Sequence, residues 1–113
     1  MHITEIAATL RPLLLQQSKM IMTLNDVLKQ PGTSIIDVRE PFEYASGHLE
    51  GAINIPLGEV PMRSQEICKL SKPIVAYCRS GMRSGQAVTF LKGQGCEEVY
   101  NGGGIMDLLA VAQ

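Results

Sequence analysis

The stretch VAYCRSGMRS, residues 75–84, places a cysteine between an apolar run and a short polar loop that leads into a helix. The apolar run predicts a strand buried on both faces. A strand that passes at once into a helix is typical of an α/β domain, in which ligands bind at the carboxyl ends of parallel strands. Cys78 stands at such an end, and we therefore expect it to lie in a binding site.

The rest of the chain repeats this alternation of strand and helix. Apolar runs, helical spacing and turn signals predict strands at 34–38, 52–56, 72–77 and 97–100, and helices at 24–30, 59–70, 83–92 and 105–111. The glycines at 102–104 predict a flexible turn between the last strand and the last helix. The expected fold class is α/β, with a mostly parallel central sheet and helices on both faces.

The amino-terminal segment departs from this alternation. Residues 3–19 carry apolar side chains at helical spacing around Pro12, which predicts a kinked helix or two short ones. We expect a helical extension over residues 1–20, which covers an edge of a domain over residues 21–113 or mediates a dimer. Thr23 is the predicted N-cap of the first helix of that domain.

Composition limits the classes of function. Ten basic and eleven acidic side chains give the 113-residue chain a net charge of -1, which argues against a general attraction to nucleic acid or to an anionic membrane. The chain has no run of about 18 apolar residues, so no membrane span is expected. Cys68, Cys78 and Cys96 have neither the even number of a disulfide framework nor the spacing of a zinc site. The cysteine pattern therefore fits a reducing compartment better than a secreted protein. We expect a cytoplasmic protein without a metal, either a monomer or a homodimer.

The loop after Cys78 favours a negatively charged sulfur. Backbone N–H groups of the loop and of the first helical turn should converge above the cysteine, and two arginines stand beside it. These groups stabilise a thiolate and lower the pKa of the thiol below its free value of about 8.5. Gly81 supplies the positive φ or the close backbone approach that a tight loop needs. The thiolate then needs no histidine as a base, and the only histidines are His2 and His48.

Three segments of the chain resemble the rhodanese, or sulfurtransferase, family. The first is DVREPFEYASGHLEGAINIP at residues 37–56, the second is CRSGMRS at residues 78–84, and the third is the weaker GGGI at residues 102–105. The resemblance extends from Thr23 to the end of the chain. Many members of the family carry a tryptophan after the glycine pair, whereas Asp107 lies in that region here.

The resemblance implies a sulfurtransferase that needs no cofactor. In the family, the cysteine at the position of Cys78 attacks the outer sulfur of thiosulfate or a similar anionic donor, releases sulfite and holds the sulfur as a persulfide. Cyanide or a thiol then removes that sulfur. In the persulfide-carrier form of this function, the thiol belongs to a partner protein. The same resemblance implies that the remaining loop residues bind the substrate and the persulfide, namely Arg79, Ser80, Gly81, Met82, Arg83 and Ser84.

The polar residues after the first predicted strand have two interpretations. We expect Asp37, Arg39, Glu43 and His48 to satisfy one another, with an ion pair between Arg39 and Glu43 and with His48 fixing the loop. The alternative places Asp37 and Arg39 on the rim of the pocket, in contact with the substrate.

The two remaining cysteines also have two interpretations. We expect Cys68 to pack in a helix and Cys96 to fill a turn. The alternative is that either of them resolves a persulfide or a sulfenic acid on Cys78.

Two other functions compete with sulfur transfer. Phosphatases related to this fold use a similar loop, but they carry one more residue between cysteine and arginine than the four that separate Cys78 from Arg83. The tighter loop suits a single sulfur atom better than a phosphate group. The second alternative is a binding module, or a persulfide carrier for a partner protein. An apolar surface around the loop would favour the carrier.

Overall fold

The computed structural model describes residues 24–112, and the side chains of residues 26–110. The predicted extension over residues 1–20 and the predicted N-cap Thr23 lie outside the described residues. Strands and helices alternate along the described chain in the order α1 (Leu24–Lys29), β1 (Ser34–Asp37), α2 (Pro41–Ala45), β2 (Ile53–Asn54), a 3₁₀ turn (Leu57–Glu59), α3 (Ser64–Cys68), β3 (Ile74–Cys78), α4 (Met82–Gly93), β4 (Val99–Gly104) and α5 (Ile105–Ala112). Within residues 24–112, no helix has the length and apolarity to cross a membrane.

The four strands form one parallel sheet in the order β2-β1-β3-β4. Strand β3 lies between β1 and β4, and all of its residues are buried, as the apolar run predicts. Because the strands are parallel, their carboxyl ends meet along one edge, which we call the carboxyl edge. Cys78 ends β3 at that edge, beside Gly104 of β4.

Helices cover both faces of the sheet, and each face has its own core. On one face, α3 and α4 pack on the sheet through a cluster that includes Ile36, Ile67, Ile74, Ala76, Val88 and Leu91. On the other face, Tyr77 and Leu108 are fully buried, and α1, α2 and α5 contribute partly buried side chains around them. The prediction of an α/β fold with a parallel sheet and helices on both faces is confirmed.

Two helical segments differ from the prediction. In place of the helix predicted at 59–70, the structure has the shorter α3, which follows a 3₁₀ turn that ends at Glu59. Helix α2 was not predicted, although its start follows a known pattern. Glu40 and Glu43 form a capping box, in which each side chain accepts from the backbone N–H of the other, and Pro41 occupies the first helical position.

The prediction of a flexible glycine turn is wrong, because Gly102, Gly103 and Gly104 belong to β4. Ala76 pairs with Asn101 and Tyr77 with Gly103, so Gly102 is the extra residue of a β-bulge. A Cβ atom on Gly102 would lie 2.8 Å from Cγ1 of Val75, and one on Gly104 would lie 2.5 Å from the carbonyl oxygen of Arg79. Close packing therefore leaves no room for a side chain at Gly102 and Gly104.

A disulfide joins Cys68, at the end of α3, to Cys96, in the turn before β4, with the Cα atoms 5.2 Å apart. The expectation that the cysteines form no bridge is therefore wrong. The bridge lies toward the amino ends of the strands, since Cys96 precedes Val99, which pairs with the first residue of β3. It also removes the sequence argument for a reducing compartment, which relied on unpaired cysteines.

Candidate active site

Backbone N–H groups surround the sulfur of Cys78, which is fully buried at the end of β3. The N–H of Gly81 donates to Sγ at 3.0 Å, and the N–H of Ser84 lies 3.5 Å away. Gly81 has a φ of 97°, and a Cβ atom there would lie 3.2 Å from Cα of Gly103. Glycine is thus needed both for the turn of the loop and for its approach to β4.

Hydrogen bonds to the Cys78 sulfur lower the pKa of its thiol. Burial raises the pKa of the Cys78 thiol, but the hydroxyl of Ser84 and the backbone N–H groups of Ser84, Gly81 and Ser80 oppose it, and the net effect is a lowered pKa. Each of these donors favours the thiolate, which is the nucleophilic form. The described surroundings of the sulfur can therefore activate it without a histidine.

Asn101 of β4 holds the loop in position, a role that the sequence analysis missed. Its side-chain N–H donates to the carbonyl of Gly81 at 3.0 Å, and its Oδ1 accepts from the Ser84 hydroxyl at 2.7 Å and from the Gly103 N–H at 2.9 Å. The Ser84 hydroxyl also lies 3.5 Å from Sγ of Cys78, so its single hydrogen serves either Asn101 or the sulfur. The available signal was a polar residue between the strand predicted at 97–100 and the glycines.

Arg83 is paired with a carboxylate. Its guanidinium donates to both carboxylate oxygens of Glu43, at 2.7 and 3.1 Å. Arg83 and the backbone N–H of Glu40 lower the pKa of Glu43 to about 2, and the same bond to Glu43 raises the pKa of Arg83. The predicted ion pair between Arg39 and Glu43 is therefore wrong, and the positive charge of Arg83 is compensated at the loop.

The other loop residues differ in exposure. Arg79 and Ser80 are exposed, whereas Ser84 is buried. Within the part of the chain that the structure describes, Arg79 forms no ion pair. The side chain of Met82 is 74% exposed. Arg79 is thus the cation of the loop whose charge is exposed to solvent and is not compensated by a described carboxylate.

Asp37 and Arg39 form a buried pair rather than a pocket rim. The Arg39 guanidinium donates to the Asp37 carboxylate at 2.6 to 3.0 Å and to the carbonyl of Gly47 at 2.7 Å. Asp37 is 0% exposed and Arg39 6%. The bond to Asp37 raises the pKa of Arg39. The alternative that placed both residues on the rim is therefore wrong, and the pair fixes the loop after β1.

His48 also serves this loop. Its Nδ1 lies 2.8 Å from the carbonyl of Tyr44, and its ring stacks on the Tyr44 ring with centroids 3.6 Å apart. The expectation that His48 fixes the loop agrees with these contacts.

The bridge between Cys68 and Cys96 lies far from the nucleophile. Strand β3 rises about 13 Å from Ile74 to Cys78, and the bridge lies beyond the Ile74 end. Neither cysteine can reach the Cys78 sulfur in this fold, so the resolving role is not supported. Among the described residues, no group of three or more histidines, cysteines and acidic side chains is arranged to hold a metal.

Comparison with known proteins identifies the family. The rhodanese-like domain family matches residues 21–108. The chain is 42% identical over 74 residues to the thiosulfate sulfurtransferase PspE of Escherichia coli, covering 65% of this chain and 71% of that protein. It is 41% identical over 88 residues to the uncharacterized protein YqhL of Bacillus subtilis, covering 75% of this chain and 69% of that protein. A solved rhodanese with anions from E. coli is 41% identical, covers 66% of this chain and 89% of its own, and has a TM-score of 0.61. Because the family match spans most of the sequence, the chain belongs to the rhodanese-like domain family.

Proposed function

We propose that the protein is a sulfurtransferase that moves a sulfane sulfur from thiosulfate, through a persulfide on Cys78, to cyanide or a thiol. The observation that carries the proposal is the set of N–H donors around the Cys78 sulfur, which stabilise an anion there without a base. The resemblance to a thiosulfate sulfurtransferase and to a rhodanese with anions supports the same donor class.

The first half-reaction uses the Cys78 thiolate as the nucleophile. It attacks the outer sulfur of thiosulfate, a new S–S bond forms, and the S–S bond of the donor breaks with its electron pair leaving on sulfite. Arg79, the exposed cation next to Cys78 in the chain, attracts the dianionic donor. The outer sulfur of the persulfide then takes the place in which the N–H groups of the loop favour negative charge.

In the second half-reaction the acceptor attacks the outer sulfur. Cyanide leaves as thiocyanate, and the electron pair of the broken bond returns to Cys78 as a thiolate.

The four residues between Cys78 and Arg83 leave a tight loop, which suits a single sulfur atom. The pairing of Arg83 with Glu43 also speaks against a phosphatase, because the guanidinium is already engaged by a carboxylate.

The test is intact-mass spectrometry under non-reducing conditions after incubation with thiosulfate, followed by a thiocyanate assay on addition of cyanide. We expect the native protein to gain one sulfur atom and to lose it to cyanide, and Cys78→Ser to do neither. Hydrolysis of a phosphate ester without a sulfur adduct would contradict the proposal and favour the phosphatase.

A further inference from the structure

Exposed apolar side chains cluster at the carboxyl edge. Phe42, Met82 and Met106 are 74%, 74% and 73% exposed, and they follow the carboxyl ends of β1, β3 and β4. We call these three residues the apolar rim. Surfaces of soluble proteins expose single apolar residues routinely, but several around one reactive group are typical of a site for another macromolecule.

Contacts between the loops bring the rim to the nucleophile. Glu43, next to Phe42, is bonded to Arg83, next to Met82. Gly104, the last residue of β4, lies against the carbonyl of Arg79, and α5, which carries Met106, begins at the next residue. The three helices that carry the rim, α2, α4 and α5, therefore begin beside the loop that follows Cys78.

The opposite edge of the sheet has a different character. The exposed residues around the amino ends of β3 and β4 are polar or charged, and they include Ser71, Gln94, Glu97 and Glu98. Among the described residues, four large apolar side chains are more than 70% exposed; three of them form the apolar rim, and the fourth is Met62. Thiosulfate and cyanide are small polar anions that gain nothing from such area, whereas an apolar protein segment would bury it.

A groove extends the rim along α4. It has a volume of about 710 Å³, and it is lined by Gly81, Met82, Gly85, Gln86, Thr89 and Phe90. These residues lie along one face of the helix, so the groove runs about 12 Å from the loop toward Phe90. That length matches about four residues of an extended chain.

We propose that the physiological acceptor is a cysteine of a partner protein, carried on an extended segment with apolar side chains that pack on the rim and in the α4 groove. This proposal rests on the proposed persulfide chemistry of Cys78. An acidic residue near that cysteine would pair with Arg79, the exposed cation of the loop that forms no ion pair with a described residue. Methionine suits such a surface because its flexible side chain adapts to its partner.

The transfer step needs no further reactant. The partner thiolate attacks the outer sulfur of the Cys78 persulfide and forms a new S–S bond. The bond between the outer sulfur and Cys78 Sγ breaks, and its electron pair returns to Cys78 as a thiolate. The partner leaves as a persulfide. The step is a thiol–persulfide exchange, in which Cys78 is reduced as the partner cysteine is oxidised, so no other oxidant or reductant is needed.

The experiment compares two short peptides as acceptors. One carries a cysteine flanked by leucine and phenylalanine with one glutamate, and the other has serines in place of the two apolar residues. The protein is first loaded with thiosulfate, and discharge of the added sulfur is followed by intact mass. We expect the apolar peptide to discharge it about tenfold faster than the polar peptide at equal thiol pKa.

Variants locate the effect on the surface. The double variant Phe42→Gln, Met106→Gln should remove most of that tenfold difference and leave loading and discharge by cyanide unchanged. We expect the same result from the single variant Thr89→Lys, in the groove. Met62→Gln, at an 81% exposed methionine between the 3₁₀ turn and α3, is the matched control and should keep the difference. The apolar peptide with serine for cysteine, labelled for fluorescence anisotropy, reports docking without any sulfur chemistry.

The outcomes separate the two proposals. If thiosulfate adds no sulfur to the protein but the apolar peptide still binds, the proposed sulfurtransferase activity is overturned and the docking surface is supported. Normal loading with equal discharge by both peptides, and equal binding of their serine versions, would overturn the docking surface alone. A change from dimer to monomer in Phe42→Gln with Met106→Gln would instead identify the rim as an interface between two copies of this chain.

Discussion

The Glu43 carboxylate accepts from the Arg83 guanidinium at 2.7 and 3.1 Å, and so connects α2 to the first turn of α4, directly after the loop that follows Cys78. The pair compensates one of the two positive charges beside Cys78. Glu43→Gln keeps the shape and one acceptor but frees the charge of Arg83. Because thiosulfate is a dianion, we expect its KM to fall about two- to fivefold at low salt, and the effect to disappear in about 1 M salt. An unchanged KM at low salt would show that Arg83 does not act on the donor.

The same pair makes a pH-dependent contribution to stability. The folded protein lowers the pKa of Glu43 to about 2, so the contribution is full above the unfolded value of about 4.3 and is lost as the pH falls toward 2. For this partly buried pair we expect Glu43→Gln to lower the free energy of unfolding by about 1 kcal/mol at pH 7. Urea unfolding of both proteins should show the difference shrinking between pH 4 and pH 2. A difference that stays constant over that interval would contradict the ion pair.

Ser84 is the residue whose hydroxyl favours the Cys78 thiolate. Removing the hydroxyl in Ser84→Ala takes away one of the donors that lower the pKa of Cys78, so the rate of persulfide formation should reach its half-maximum at a higher pH. Below that midpoint we expect a rate about two- to tenfold lower than that of the native protein. The pH profile of persulfide formation measures both effects. Ser84→Thr, which keeps a hydroxyl, is the control, and a profile of Ser84→Ala that matches the native one would contradict the role.

The sequence could predict the fold because its signals are local. The β-branched run at 34–38 and the apolar run before Cys78 both form strands in the structure, and the helix after the loop begins within one residue of its predicted start. The glycines at 102–104 misled the prediction because their reason is not local. Val75 and Arg79, distant in sequence, leave no room for a side chain at Gly102 and Gly104.

Cys78 and its loop could be predicted as a candidate site from adjacent residues, whereas the residues that support them could not. Glu43 lies 40 residues from Arg83 in the chain, and Asn101 lies 17 residues from Ser84. No spacing rule connects residues so far apart. The bridge from Cys68 to Cys96 was missed for the same reason, since odd cysteines in a short chain do not indicate which two are neighbours.

Asn101 tests whether the position of the loop matters for sulfur capture. Asn101→Leu keeps the volume but removes the bonds to Gly81, Ser84 and Gly103. We expect kcat/KM for thiosulfate to fall about 10- to 100-fold, because the loop N–H groups lose their fixed direction toward the sulfur. Asn54→Leu is the matched control, since Asn54 donates to the carbonyls of Asp37 and Arg39 in the buried framework. Equal losses of activity per folded molecule in the two variants would assign Asn101 to general stability alone.

The disulfide should stabilise the fold without taking part in the reaction. It closes a loop of 28 residues, which corresponds to about 3 to 4 kcal/mol in the chain-entropy account. Replacing both Cys68 and Cys96 by serine should lower the free energy of unfolding by that amount, measured by urea unfolding without reductant. Reductant should lower the stability of the native protein toward that of the variant and leave the variant unchanged. Because the bridge lies at the opposite edge from Cys78, persulfide formation by the folded variant should keep its native rate, and a loss of that rate would bring the two cysteines back into the mechanism.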